Sequence, residues 1–185
     1  MKTKPIVGLL LALFLSAQIS AQNFTQPEKG KAVVYVVNVM TGLGTKTTPI
    51  FDSETCIAEL GFRSYLRYEC EPGEHIFGAI PTAKWSFFTA DLEADRIYVV
   101  QMRTESGLGG PMAVFKSVDK AYLQKKGIIG QIVHEKAPVP AESKMITKYN
   151  TKLSKNTVRA LDRFNDSQRA KNKHLHIAAE MYLEL

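Results

Sequence analysis

The sequence predicts a mainly β protein: an antiparallel β-sandwich, immunoglobulin-like or similar, followed by a helical C-terminal tail. Three observations support this fold class. About eight short segments rich in β-branched and aromatic residues recur at regular spacing between residues 31 and 119. Turns rich in glycine, proline and acidic residues separate these segments. Helical apolar spacing returns only near the C-terminus, and we therefore place a helical tail over residues 141–185.

Residues 1–21 have the features of a secretory signal peptide. Lys2 and Lys4 precede an apolar stretch over residues 6–15, and Ala21 supplies the small residue at the cleavage point. This stretch is shorter than the roughly 18 residues of a membrane-spanning helix. We expect an exported protein, periplasmic or extracellular, with no transmembrane segment in the mature chain. An uncleaved membrane anchor is the alternative. Residues 22–30 are predicted to be a flexible leader.

The charge of the chain is unevenly distributed. Residues 22–143 carry 13 Lys and Arg against 14 Asp and Glu, a net of −1, although the whole chain has a net charge of +6. Residues 144–176 carry nine basic groups against two acidic ones, a net of +7. The predicted sandwich is thus close to neutral, and the basic charge is concentrated in the tail.

The strand candidates follow in order. Residues 32–39 are apolar on both faces, which indicates a central strand. A loop with two glycines leads to a short strand at residues 49–51. The remaining candidates are residues 75–80, 85–92, 97–103 and 112–118.

Residues 55–79 hold both cysteines and read as a β-hairpin followed by a Pro-Gly turn into a third strand. If the hairpin loop centres on Phe62 and Arg63, one face is apolar and the other carries a cross-strand ion pair. The facing residues in this register are Leu60 and Leu66, Ala58 and Tyr68, Cys56 and Cys70, Ile57 and Glu69, and Glu59 and Arg67.

That register predicts a disulfide between Cys56 and Cys70. Two cysteines in an exported chain are commonly paired, and such a bond would stabilise the fold by about 3 kcal/mol. Two reduced, buried thiols are the alternative.

Several of these segments resemble the bacterial domain-of-unknown-function family 2846, over roughly residues 31–105. The resemblance rests on a Val-Tyr-Val first strand, the turn formed by Pro72, Gly73 and His75, and a late strand that carries Tyr98 after an acidic turn. It implies a small exported β-sandwich of the cell envelope and implies no activity. It does not extend to the tail.

The predicted sandwich, residues 31–119, contains no motif that indicates catalysis, a metal site or a cofactor. His75 follows a turn and is interpreted as a packing residue, with a ligand or general base as the alternative. The glycine-rich residues 107–110 precede a strand rather than a helix, so a loop is favoured over a phosphate cradle. Trp85, Phe87 and Phe88 are interpreted as core residues rather than a sugar-binding face.

Residues 137–140 contain two prolines and mark the end of a connecting segment, residues 120–140. A short helix is predicted over residues 118–126, at the boundary between the sandwich and this segment, with Ser117 as its cap and Gly127 as its stop. Residues 128–133 form an apolar run of undecided type.

The tail beyond residue 140 is predicted to be mostly helical. A helix over residues 154–169 would place Leu161 and Phe164 toward the body. Residues 144–153 are compatible with a helix or an edge strand. Residues 176–185 are predicted to be helical. His174 and His176 would then point apart, which makes a metal site the less favoured interpretation.

One face of the predicted tail helices carries a basic stripe, interpreted either as a solvated face or as a contact for an anionic partner, such as lipid headgroups or an envelope polymer. Nucleic acid is not expected as a partner of an exported protein. The stripe consists of Lys148, Lys152, Lys155, Arg159 and Arg163.

These observations favour a non-enzymatic envelope-associated module with a binding or structural role. A hydrolase or isomerase that uses dispersed carboxylates is the alternative. A deep pocket that gathers two or more of six titratable residues would favour this enzyme. The six are Glu59, Glu69, Glu71, Glu74, Asp91 and His75.

Overall fold

The structure is a computed structural model, and it describes residues 24–41, 47–82, 84–107, 110–141, 143–152, 154–169, 171 and 174–184. The predicted signal peptide lies outside the described residues. Within these ranges, no helix is both long enough and apolar enough to cross a membrane.

The described residues are mainly β, with a few helices. The strands are β1 (Ala32–Asn38), β2 (Thr48–Asp52), β3 (Thr55–Leu60), β4 (Ser64–Cys70), β5 (Gly73–Ala79), β6 (Ser86–Leu92), β7 (Ile97–Gly107), β8 (Gly110–Ser117) and β9 (Leu175–Ile177). The helices are α1 (Lys120–Lys125), α2 (Ile128–Glu135), α3 (Lys144–Lys152) and α4 (Ser154–Arg163), and a π-helical turn (Phe164–Arg169) continues α4.

The strands form two mixed sheets. The four-stranded sheet has the order β4-β1-β7-β8, and the five-stranded sheet has the order β3-β2-β5-β6-β9. Strands β1 and β7 are parallel, and so are β6 and β9. The prediction of antiparallel sheets alone is therefore wrong at these two pairs.

Strand β1 has the two apolar faces that its sequence predicts. Val34 and Val36 belong to a core that both sheets share, whereas Val33, Tyr35 and Val37 belong to a second core on the opposite face. Every residue of the strand is buried. A strand with such a pattern requires a covering layer on each side.

Helix α2 covers the second face of the four-stranded sheet. Ile129, Ile132 and Val133 pack there against Tyr35 and its neighbours.

Helix α1 is capped by Asp119, which accepts a hydrogen bond from the Tyr122 N–H at 2.7 Å. The predicted cap, Ser117, is wrong because it is still the last residue of β8.

Helices α3 and α4 cover the outer face of the five-stranded sheet. Ile146 of α3 packs against Phe51 and Cys56, and Leu161 of α4 packs with Phe164 against Phe87. The predicted orientation of Leu161 and Phe164 toward the body is confirmed, since both are buried. For residues 144–153, the helix was the right alternative.

Helix α3 also closes an open edge of this sheet. The side-chain amide of Asn150 accepts a hydrogen bond from the Cys56 N–H at 2.7 Å and donates one to the Cys56 carbonyl at 3.2 Å. Cys56 lies on β3, an edge strand, where unpaired backbone groups favour unwanted strand addition.

The predicted helix over residues 176–185 is wrong. Residues 175–177 form β9 instead, and residues 178–184 contain no helix. Ile177 enters the shared core, whereas Leu183 packs in the second core and donates its N–H to the Ile97 carbonyl at 2.7 Å. The apolar side chains of this segment serve two different cores, so their helical spacing did not reflect one buried face.

The predicted hairpin register is also wrong. Strand β3 pairs with β2, and β4 pairs with β1, so the two strands belong to different sheets. A bulge lies in β3, where Ile50 is opposite Ala58 and Phe51 is opposite Cys56, which leaves Ile57 as the extra residue. Cys56 therefore lies on the outer face of its sheet, whereas Ala58 and Leu60 lie in the shared core.

Cys56 and Cys70 are free thiols in this structure, and both are buried. The register that suggested their disulfide does not exist, so the bond stays a prediction without that support. Arg67 pairs with Glu69 of its own strand at 2.8 Å rather than with Glu59.

We expect Phe164→Ala to lower the free energy of unfolding by about 3–5 kcal/mol, because it empties a buried site beside Phe87. The rings of Phe164 and Phe87 lie 4.8 Å apart. Urea denaturation measures the effect. Phe62→Ala is the matched control, since Phe62 is 36% exposed. Equal losses in both variants would show that α4 is not packed on the sheet as described.

Candidate functional site

An open cleft lies at one end of the two sheets, where β4 ends and β5 begins. Its volume is about 610 Å³, and we call it the Cys70–His75 cleft. The Pro72-Gly73 turn joins the two strands here, and Gly73 has a φ of 131°, which a residue with a side chain adopts only with strain. The lining residues are Glu28, Lys31, Tyr68, Glu69, Cys70, Glu71 and His75.

Beside this cleft, Asp52 links the two sheets through hydrogen bonds. Its Oδ2 atom accepts a hydrogen bond from the Tyr68 hydroxyl at 3.1 Å and lies 2.9 Å from Nδ1 of His75. Tyr68 belongs to the four-stranded sheet, whereas Asp52 and His75 belong to the five-stranded one. Burial and the negative charge of Asp52 raise the pKa of Tyr68, so its phenol remains a proton donor.

The geometry around His75 fits the positively charged imidazolium. Nδ1 faces the Asp52 carboxylate, and Nε2 lies 2.9 Å from the backbone carbonyl of Glu71. Both neighbours are acceptors, so both ring nitrogens must carry a proton to be satisfied. The hydrogen bond to Asp52 is the largest cause that raises the pKa of His75, from 6.5 to about 10.

The His75 ring also stacks on Phe77, with ring centroids 5.7 Å apart. The predicted packing role thus describes part of its surroundings. The contact of His75 with Asp52 and its position near Tyr68 and Cys70 were not predicted from the sequence. One signal for this grouping was present: Tyr68 and Cys70 share a strand face, and a Pro-Gly turn returns the chain beside them at His75.

Two cleft carboxylates have partners within the fold. Glu69 accepts a hydrogen bond from the Glu28 N–H at 2.8 Å and pairs with Arg67, and these contacts lower the pKa of Glu69. Glu71 forms an ion pair with Lys31. Glu59 lies apart from the cleft, where it accepts a hydrogen bond from Ser143 at 3.2 Å.

His174 and His176 do not point apart as the predicted helix required. The Thr89 hydroxyl lies 3.0 Å from Nε2 of His174 and 2.9 Å from Nδ1 of His176. A strand places alternate side chains on one face, which explains the shared contact. Among the described residues, no group of three or more His, Cys, Asp or Glu is arranged to hold a metal ion.

Two aromatic residues of β6, and Trp85 directly before it, lie in different surroundings. Phe88 is in the shared core, and Phe87 is buried beneath α4. Trp85 is partly buried and stacks on Phe87 with ring centroids 5.5 Å apart. The core interpretation is confirmed for Phe87 and Phe88.

The basic residues of α3 and α4 form a second candidate site. Lys148, Lys155, Arg159 and Arg163 are all exposed, and none forms an ion pair with a described residue. The side chain of Lys152 lies outside the described set. We call the four described residues the basic helical surface.

The glycine-rich residues 107–110 join β7 to β8, and residues 108 and 109 are outside the described part.

The chain matches no family model, and no curated protein matches it. The resemblance to the domain-of-unknown-function family 2846 therefore stays a prediction.

We expect the contribution of His75 to stability to depend on pH. Its pKa is raised from 6.5 to about 10, so the Asp52 contact contributes fully below pH 6.5 and is lost as the pH rises toward 10. Because the His75 and Asp52 side chains are only 15% and 12% exposed, we expect a contribution on the order of 2 kcal/mol.

The measurement compares the unfolding free energies of the wild-type protein and His75→Gln at pH 6 and pH 10. The difference between the two proteins should be large at pH 6 and small at pH 10. A constant difference would contradict a charged His75. Tyrosine and lysine residues titrate in both proteins, so their effect on the unfolding free energy cancels in the difference.

Proposed function

We propose that this protein is an exported, non-enzymatic module of the cell envelope, with a binding or structural role. Its basic helical surface would attach it to an anionic partner, such as lipid headgroups or an envelope polymer. One observation carries the proposal: four exposed cations lie on helices whose apolar sides are buried on the five-stranded sheet.

This arrangement presents positive charge on an ordered surface. Ile146, Leu161 and Phe164 anchor the helices by burial, and Asn150 fixes α3 to the backbone of Cys56. Lys155, Arg159 and Arg163 follow one another at intervals of four residues along α4. Such spacing keeps side chains on one side of a helix, and a partner would meet all three together.

The expected strength of attachment follows from the charges. Near an anionic membrane surface each Lys or Arg contributes about 1 kcal/mol. Salt screens this attraction within about 10 Å at 0.1 M ionic strength. The interaction should therefore be appreciable at low salt and weak at high salt.

We also propose that the two sheets pack face to face as a β-sandwich with helices on the outer faces. The support is the shared core, which takes Val36, Leu66 and Val100 from one sheet and Ile50, Phe77 and Phe88 from the other. An immunoglobulin-like connectivity has antiparallel sheets only, and the two parallel strand pairs argue against it.

A hydrolase-type enzyme is the second candidate, and the Cys70–His75 cleft is the observation in its favour. The cleft gathers Glu69, Glu71 and His75, three of the six residues expected in such an enzyme. Against it, all three are engaged in contacts within the fold. Turnover of a chromogenic ester or glycoside that Glu71→Gln abolishes would favour the enzyme over our proposal.

We expect the triple variant Lys155→Gln, Arg159→Gln, Arg163→Gln to bind anionic liposomes about 100-fold more weakly than the wild-type protein at low salt, since three charges are removed. Its thermal stability should change little, because exposed charges contribute little to folding. Co-sedimentation at 50 mM and 500 mM salt measures binding. Parallel sedimentation with an anionic polysaccharide distinguishes lipid headgroups from an envelope polymer.

The matched control is Lys120→Gln, Lys125→Gln, Lys126→Gln. These three lysines are exposed on or directly after α1, and the net charge changes by the same amount. The control should retain most of the binding. Equal loss in both variants would indicate a net-charge effect, and wild-type protein that does not bind at low salt would contradict the proposed attachment.

A further inference from the structure

Two histidines near the C-terminus meet one hydroxyl group on the outer face of the five-stranded sheet. Strand β9 pairs in parallel with β6, and His176 lies directly opposite Thr89 in that register. His174 lies two residues earlier in the chain, so its side chain emerges on the same face. The Thr89 hydroxyl lies 3.0 Å from Nε2 of His174 and 2.9 Å from Nδ1 of His176. Both ring nitrogens are thus directed to one point.

The two rings lie where a covered part of this face gives way to an open part. His174 is half-buried, and its ring meets the Phe164 ring edge-on, with ring centroids 5.0 Å apart. Thr89 is buried. The His176 side chain, by contrast, is 49% exposed. Solvent and small ions therefore reach the pair from the side of His176, while contact with Phe164 holds the ring of His174 in place.

The protons of this group can be assigned by counting. A threonine hydroxyl has one proton, so it donates to one ring nitrogen and accepts a hydrogen bond from the other. Nε2 of His176 lies 3.5 Å from Oδ2 of Asp91, and a carboxylate there favours a proton on that nitrogen. In the neutral ring of His176, Nδ1 then has a lone pair and accepts the Thr89 proton. Nε2 of His174 donates to the Thr89 oxygen.

This arrangement resembles the support that metal-binding histidines have in proteins. Such a histidine usually directs its second ring N–H to a carboxylate or carbonyl, which fixes the tautomer and orients the ring. His176 has Asp91 at one nitrogen and the Thr89 hydroxyl at the other. If the proton of His174 moves from Nε2 to Nδ1, a second lone pair is directed to the same point beside the hydroxyl.

We propose that His174 and His176 together bind one divalent transition-metal ion such as Zn²⁺, through Nε2 and Nδ1 respectively. Imidazole suits Zn²⁺, Cu²⁺ and Ni²⁺, whereas Mg²⁺ and Ca²⁺ prefer oxygen ligands. The ion takes the place of the Thr89 hydroxyl as the common neighbour of the two nitrogens. Water completes its coordination on the exposed side of His176. With two protein ligands, the site is open and binds more weakly than a structural zinc site with four.

The first test titrates the wild-type protein with Zn²⁺ alone and follows binding by isothermal calorimetry and by NMR of the imidazole nitrogens. We expect one ion per chain, with coordination shifts at Nε2 of His174 and Nδ1 of His176. The two other histidines of the chain, His75 and His134, should keep their signals. Mg²⁺ should cause no such shifts. No binding of Zn²⁺, or coordination shifts at only one of the two proposed histidines, would overturn the proposal.

The second test removes one ligand at a time. Loss of an outer partner of a metal ligand typically weakens metal binding about 10- to 100-fold. His174→Gln and His176→Gln remove ligands themselves, so each should weaken Zn²⁺ binding at least about 100-fold. Asp91→Asn removes only the support of His176 and should weaken binding about tenfold. Unchanged affinity in either histidine variant would contradict a shared site.

His134→Gln is the matched control, because His134 is an exposed histidine of α2, which covers the other sheet. This variant should bind Zn²⁺ as the wild-type protein does. Equal weakening in His134→Gln, His174→Gln and His176→Gln would indicate binding to surface imidazoles in general and would overturn the proposal. Thermal melting without metal checks that each variant folds. If a variant does not fold, the ring shifts of the wild-type protein decide the question.

Discussion

Both sheets of this protein are apolar on both faces, and the rest of the structure depends on that constraint. Strand β1 contributes to two separate cores, and Phe87 and Phe88 of β6 likewise point into different cores. A sheet of this kind is stable in water only when a layer covers each face. Helix α2 covers one sheet, and helices α3 and α4 cover the other, so the C-terminal region is part of the folded body.

The same constraint explains the path of the chain between β8 and α3. Helix α2 lies over the four-stranded sheet, and the segment that follows passes edge strand β4, where the Val139 N–H donates to the Tyr65 carbonyl at 2.9 Å. Ser143 then contacts Glu59 on edge strand β3 and leads into α3. The proline-containing segment thus carries the chain between the outer faces and protects two sheet edges on the way.

One cluster of polar groups lies where the shared core reaches the end of the sheets. The contacts of Asp52 with Tyr68 and His75 satisfy partly buried polar atoms and tie one sheet to the other. His75, which this network holds, lines the same cleft as Cys70. The network thus lies beside the open cleft, whereas the proposed attachment surface lies on α3 and α4.

The sequence by itself determined the approximate positions of β1 to β8 and the two-faced character of β1, because these depend on local side-chain periodicity; β9 was not predicted. It also identified the apolar anchors Leu161 and Phe164 and the residues of the basic stripe, since helical spacing is a local property. Strand partners were decided only by tertiary structure: β3 and β4 are adjacent in sequence yet join different sheets, and the bulge at Ile57 turns Cys56 to the outer face. The contacts of Asp52 with Tyr68 and His75 could not be predicted for the same reason. Their separation along the chain carries no information about which strand ends meet, and that choice is made by the free energy of burying both faces of both sheets at once.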